Sequence, residues 1–310
     1  MASHFIQPFA DPADGLVHVW RRSTQRITRQ PPRKTAVRTH FHTVTISTGQ
    51  TDILERAVTH IENGAVADLQ LMAAGGLDAG MTSKQKANLA RYLGLLWGRT
   101  EKQRSQMLQI LKGGQLPAPQ VDDRGFQELV KHANITGSAE EKEAWTVVLR
   151  PLLSGQAFSG VHEALLGLAL GHVTMAPILD SMRWTVYRRS RAPFFCSGSE
   201  PIAVVSKDSA WRLGAHPQDR STVIAVAVSP ERLLFMDHDQ GDDRQRPADF
   251  AYPELRDLTY GFLGVYDDRL TDPVAWWAHY LAHSGAGEVY ARQAGDLDMI
   301  RKEGLPPPHS

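Results

Sequence analysis

The apolar residues of this chain change their spacing three times, and those switches constrain the fold more than any single motif. Near the N-terminus, Leu16-Val17-His18-Val19-Trp20 is rich in strand formers, Ser23-Thr24-Gln25 supplies a turn, and Ile27-Thr28 resumes, a pattern that predicts a β-hairpin. Pro31-Pro32 then interrupts pairing, and Thr39–Ser47, with Phe41, Val44 and Ile46 set among threonines, predicts a further strand.

From Asp52 the spacing becomes three and four. Leu54, Val58, Ile61, Ala65, Leu69 and Met72 share one helical face, Asp52 and Glu55 stand at capping-box spacing, and Gly75-Gly76 is a natural stop. Thr82 and Gln85 form a second box, opening a long helix or a pair bent near Gly98. Further helices are expected over Asp123–Ala133, Ser138–Leu153 and Phe158–Asp180. The period of two returns at Arg183–Tyr187, Pro193–Cys196, Ile202–Val205, Val223–Val228 and Leu233–Met236, read as one sheet. Helical patterns around Leu255–Leu263, Pro273–His283 and Gly287–Lys302 precede a Pro-rich tail.

This order predicts an α+β fold: an N-terminal β-hairpin joining a C-terminal, mostly antiparallel sheet, with a large helical middle and C-terminal helices. The segments are 1–50, an N-terminal β segment; 51–182, helical; 183–240, sheet; and 241–310, helices and tail. They are expected to form one compact domain, and 310 residues are ample for its core.

Charge and cysteine content remove several function classes. Lys and Arg number 34 against 34 Asp and Glu, so no global field draws nucleic acid or a membrane surface, and any such affinity requires a local patch. The lone Cys196 excludes an intramolecular disulfide and fits a reducing compartment. The opening residues lack the basic and apolar regions of a secretory signal. The most apolar stretch, Leu165–Leu179, contains His172 and Pro177 and is shorter than the roughly 20 residues of a spanning helix. The expectation is a cytoplasmic protein without a membrane partner.

A local patch does exist. Between Asp14 and Asp52 there is no acidic residue, whereas Arg21, Arg22, Arg26, Arg29, Arg33, Lys34 and Arg38 place positive charge on the hairpin and the segment after it. Clustered guanidinium groups can meet phosphates or carboxylates, and Trp20 or Phe41 is available for stacking on bases. The partner is therefore read as nucleic acid or an acidic protein. Against this stands a solvated hairpin face, or internal pairing with acidic residues such as Asp237, Asp239, Asp242 and Asp243.

Metal and cofactor signals are weaker. His279 and His283 lie four apart on a helical pattern and His40 and His42 alternate on a strand pattern, but no third ligand of a zinc site is identified. His162-Glu163 lacks the second histidine of a metalloprotease helix, and Asp237–Asp243 lacks the spacing of a calcium loop. No phosphate loop, dinucleotide fingerprint, nucleophile elbow, kinase signature or paired-cysteine zinc motif occurs. The chain is thus assigned no metal ligands, and its cofactor is left unknown.

Several segments together resemble a bacterial family named domain of unknown function 4238. They are His4-Phe5-Ile6-Gln7-Pro8-Phe9, Val17-His18-Val19-Trp20, Ala36–His42, Leu54-Glu55-Arg56 with Ile61-Glu62, Trp184, Phe195-Cys196-Ser197-Gly198-Ser199-Glu200-Pro201-Ile202, and Ser229-Pro230. Order and spacing carry the resemblance, which spans residue 4 to about 236. The chain departs from the family pattern in the transposed Gln7-Pro8, in Ser199 where the family has aspartate, and in Ala227 where it has proline. A reaction depending on that aspartate would be lost here. The resemblance implies a fold and a bacterial origin more than a reaction.

It also implies an enzymatic alternative. His4 beside Ser199 or Glu200 would pair a general base with a hydroxyl or carboxylate, the chemistry of a hydrolase or nuclease. Opposed to it, His4 anchors the N-terminus and Ser199-Glu200-Pro201 is a turn. Cys196, in a Phe-Phe-Cys segment, reads as a small buried hydrophobe. Whether the protein is an enzyme stays open at this point.

Overall fold

A computed structural model describes residues 3–35, 44–46, 49–51, 53–77, 80–100, 103, 175–206, 217–238 and 273–304. The elements over those residues are α1 (Ser3–Ile6), β1 (Val17–Arg21), β2 (Arg26–Gln30), β3 (Val44–Ile46), β4 (Gly49–Thr51), α2 (Ile53–Ala74), α3 (Ser83–Gly98) and α4 (Ala176–Ser181). They continue with β5 (Arg183–Arg188), β6 (Ser197–Gly198), β7 (Ile202–Ser206), β8 (Thr222–Ser229), β9 (Arg232–Asp237), α5 (Pro273–His283), β10 (Glu288–Ala291) and α6 (Asp298–Gly304). The class is α+β. The chain divides into two compact units, one of Met1–Val37, Leu69–Met81 and Ser181–Ser310, the other of Arg38–Asp68 and Thr82–Asp180.

The first unit contains two antiparallel four-stranded sheets. One has the order β2-β1-β10-β6 and the other β5-β9-β8-β7. The second sheet follows the alternating segments in the sequence. Its interior strand β8, Thr-Val-Ile-Ala-Val-Ala-Val-Ser, is buried at every position, which explains its near-continuous run of β-branched residues and alanine. At one end the bidentate pair of Arg183 and Asp237, at 3.0 and 2.7 Å, joins directly opposed residues of β5 and β9.

The core lies around α5, whose sequence Pro-Val-Ala-Trp-Trp-Ala-His-Tyr-Leu-Ala-His is apolar on most sides, as a buried helix must be. Tyr187, Phe235, Trp276, Trp277 and Tyr280 form a chain of ring contacts with centroids 4.8, 5.5, 6.0 and 5.0 Å apart. Two of these rings bond backbone at their polar ends: Trp277 Nε1 donates to the Cys196 carbonyl at 2.6 Å and the Tyr280 hydroxyl to that of Ile202 at 2.7 Å. Close approach of α5 to the hairpin sheet requires Gly198, where a Cβ would stand 3.1 Å from Leu281 Cδ2 and 3.3 Å from the Glu288 carbonyl.

Two sequence expectations are corrected here. Pro193–Cys196 is not a strand. Proline brings no N–H, the Phe194 N–H goes to Asp296 Oδ1 and that of Phe195 to the Pro230 carbonyl, so pairing begins only at Ser197, in the hairpin sheet. The helical pattern over Gly287–Lys302 instead opens with β10. The open side of β1 offers Glu288-Val289-Tyr290-Ala291 a ladder, and tertiary pairing overrides local periodicity.

In the second unit, β3 and β4 form a two-stranded ladder and α2 begins just after it, as the change of period at Asp52 predicts. Thr82 and Gln85 close a capping box on α3, with Gln85 N donating to Thr82 Oγ1 at 3.2 Å and Thr82 N to Gln85 Oε1 at 2.9 Å. Arg99 Nη1 reaches Glu62 Oε1 at 2.6 Å and Asn88 Nδ2 reaches Asp68 Oδ2 at 3.3 Å, tying α3 to α2. α2 ends in the first unit. There Gly75, at φ +90°, and Gly76 return their N–H groups to Met72 and Leu71 in a Schellman stop. The expected helices over Asp123–Ala133, Ser138–Leu153, most of Phe158–Asp180, and Leu255–Leu263 lie outside the described residues.

Candidate functional site

The hairpin carries the basic stretch, and its geometry separates the cations into two groups. Arg21 Nε donates to Glu288 Oε1 at 2.8 Å across the β1–β10 ladder, and the Tyr290 hydroxyl holds the other carboxylate oxygen at 3.0 Å. Arg22 turns toward the end of α5. Its Nη2 donates to the carbonyls of Ala282 and Leu281 at 2.7 and 3.2 Å, its Nε to that of Ala286 at 3.0 Å, and its guanidinium lies 5.5 Å from the centre of the Trp20 ring. Arg29 pairs with Asp14 and lies 3.8 Å from Asp11, in a turn that those two carboxylates fix by accepting backbone N–H groups.

Arg26, Arg33 and Lys34 remain. All three are exposed, and none forms an ion pair among the described residues. Arg26 opens β2, the terminal strand of its sheet, and Arg33 and Lys34 lie in the single 3-10 turn that follows Pro31. Arg38 lies outside the described residues, as do Asp239, Asp242 and Asp243; Asp237 is engaged by Arg183.

The enzymatic candidates are placed apart in their bonding. His4 is exposed on α1. The Ser199 hydroxyl accepts the N–H groups of Gly287 and Glu288 at 3.0 and 3.4 Å, and its backbone N–H donates to the Glu288 carbonyl at 2.9 Å, so Ser199 fixes the entry to β10. Glu200 is buried, and its carbonyl accepts the Tyr280 hydroxyl at 3.3 Å. Among the described residues no hydrogen bond joins His4 to Ser199 or Glu200. Burial raises the Cys196 thiol well above its ordinary range, with the Asp296 charge adding to it, which suppresses the thiolate that nucleophilic chemistry needs.

The rings of His279 and His283 stand 4.3 Å apart on α5. Among the described residues there is no group of three or more His, Cys, Asp or Glu side chains able to hold a metal ion. His40, His42 and His162 lie outside those residues.

One charged cluster escaped the sequence reading. His18 lies in register between Ala291 and Arg29, and Asp11, Asp14 and Asp296 all act on it. Burial, then the Arg29 charge, lower its pKa against the pull of those carboxylates, and its Nδ1 is buried without a hydrogen-bond partner. Asp296 accepts the N–H groups of Phe194 and Gln293 at 3.0 and 3.3 Å, yet burial dominates and raises its pKa. Asp11, Asp14 and Arg29 reach His18 through the N-terminal turn and the hairpin, whereas no local signal announces Asp296, which follows β10 at the far end of the chain.

The model of the family described as Protein of unknown function (DUF4238) matches residues 4–256. The chain belongs to this family. No curated protein and no solved structure matches it. Several DUF4238 positions that carry the resemblance serve the core: Phe5, Ile6, Phe9 and Trp20 have no exposed surface. Ser229, at the strand end, turns the chain by accepting the Glu231 N–H at 3.3 Å. Ser199 holds the start of β10 by its hydroxyl. α5, β10 and α6 lie beyond the matched residues. No described helix is long and apolar enough to cross a membrane.

Proposed function

We propose that this DUF4238 protein is a bacterial cytoplasmic binding protein that meets an anionic partner, nucleic acid or an acidic protein, with the basic surface of its N-terminal hairpin. The observation that carries this reading is the exposure of Arg26, Arg33 and Lys34 without an ion pair among the described residues, within a stretch that has no acidic residue of its own. Arg29 contributes to the same field at reduced strength, since Asp14 and Asp11 neutralise part of it. Arg21 and Arg22, which the sequence places in the contact surface, are reassigned to holding the hairpin on β10 and α5. A hydrolase or nuclease built on His4 and Ser199 or Glu200 lacks a comparable supporting observation.

The test is binding of the purified protein to short DNA, short RNA and an acidic peptide across a salt series. If the three free cations each neutralise one phosphate of a duplex, the logarithm of the binding constant falls with the logarithm of salt at a slope of about −2.7. Changing Arg26, Arg33 and Lys34 together to alanine abolishes most of that slope. Salt-insensitive binding, or unchanged binding by the triple variant, refutes the reading.

A further inference from the structure

Resting on that reading, we infer that the partner is an extended acidic peptide segment that adds to the sheet as a new strand beside β2. The direction of the backbone groups left unpaired among the described residues follows from a single hydrogen bond. Arg22 N donates to the Gly287 carbonyl at 3.0 Å, which makes Arg22 and Gly287 a hydrogen-bonded pair on the β10 side of β1. By the period of two, Trp20 and His18 also turn their backbone groups toward β10, while Arg21, Val19 and Val17 turn theirs toward β2. Their partners in register are Arg26, Thr28 and Gln30. The N–H and C=O groups of Ile27 and Arg29 therefore point away from β1, off the terminal edge of the sheet.

That edge has defined ends. At one end the Gln25 N–H, which the same period would aim outward, returns to the Arg21 carbonyl at 2.8 Å in a turn with φ +56° at Gln25. At the other, Pro31 has no N–H, and its carbonyl accepts the N–H of Lys34 and the hydroxyl of Thr35. Two residues thus present a complete donor and acceptor set, enough to register one short strand.

Charge selects which strand. Cationic side chains on an edge strand ordinarily repel other edges. A second copy of this chain would bring another set of the same cations into the same few ångströms. Arg26 and Arg29 are three residues apart on β2 and so lie on opposite faces of the sheet, and a strand with carboxylates at the two positions opposite them reverses the sign within reach of both guanidinium groups. Nucleic acid satisfies the charges but leaves the aligned backbone groups unused, and for that reason the peptide is favoured.

The experiment uses the full chain and a labelled valine-rich peptide with two glutamates three residues apart. It is compared with the same peptide N-methylated on the face that would pair with β2, and with a short single-stranded DNA. Binding is read by fluorescence anisotropy, and amide hydrogen exchange of Ile27 and Arg29 is followed in parallel. The expected result is binding of the unmodified peptide, weakening of at least about tenfold on N-methylation, and slowed exchange at Ile27 and Arg29. Equal, salt-dependent binding of both peptides, or binding of DNA with unchanged exchange at Ile27 and Arg29, overturns strand addition while leaving the basic-surface reading intact. Absence of salt-dependent binding to every anionic probe overturns both.

Discussion

Arg22 closes the last turn of α5 by donating from its guanidinium to the Ala282 carbonyl at 2.7 Å, so a hairpin cation completes a helix from the other end of the chain. The carbonyls at a helix C-terminus have no intrahelical partners and carry the negative end of the helix dipole. Removing the guanidinium leaves the carbonyls of Leu281, Ala282 and Ala286 without this donor. Arg22→Ala is expected to cost about 2–3 kcal/mol of stability in urea unfolding, whereas Arg26→Ala on the exposed strand stays within about 0.5 kcal/mol. Equal effects of the two substitutions would contradict the division of the cations into engaged and exposed groups.

The capping box of α3 gives a second, independent measurement. The Thr82 hydroxyl accepts the Gln85 N–H, one of the donors that the first turn cannot satisfy internally. Thr82→Ala should lower stability by about 1 kcal/mol, and Thr82→Ser should retain most of it. The check is the shift in the denaturation midpoint at unchanged slope, since a changed slope would report a different unfolded or native surface.

How much of this fold could be read in the sequence depended on whether its cause was local. The β1–β2 hairpin, the stop at Gly75-Gly76 and the box at Thr82 are specified by neighbouring residues, and the structure contains each of them. β10 is specified by the vacant side of β1, far away in the chain, and its own residues read as a helix. The same reason hid the division of the basic stretch. Arg21, Arg22 and Arg29 belong to one run of cations in the sequence, but what engages them is Glu288, the backbone carbonyls of Leu281, Ala282 and Ala286, and the turn at Asp11–Asp14. His18 and Asp296 likewise become neighbours in the field only through the sheet.

Cys196 offers a test of the core around α5. Its thiol is buried, contacts the Asp296 carbonyl at 3.4 Å, and is held protonated by desolvation. A thiol-specific reagent is expected to leave the native protein unmodified and to modify one thiol per chain once denaturant is added. Rapid modification under native conditions would place the thiolate in solvent and contradict the packing of Trp277 on the Cys196 carbonyl.

His18 makes stability fall in mild acid, and the sign follows from its surroundings. Burial is the largest influence and the Arg29 charge the next, and both disfavour the imidazolium in the folded state against the opposing carboxylates of Asp11, Asp14 and Asp296. With the folded pKa below its ordinary 6.5, the unfolded chain binds more protons at this site than the native one between those two values. Stability therefore increases as pH rises through that window and decreases as pH falls through it, reaching its full loss below the folded pKa. Asp296 acts with the opposite slope at lower pH: its folded pKa is raised, mainly by burial, so the native state keeps a proton that the unfolded chain has lost. Urea midpoints of the protein and of His18→Gln at about pH 7.5 and about pH 5.5 separate the imidazole contribution, since glutamine does not titrate. The unaltered protein should lose more stability than the variant between the two values, and an equal loss would move the acid sensitivity to another group.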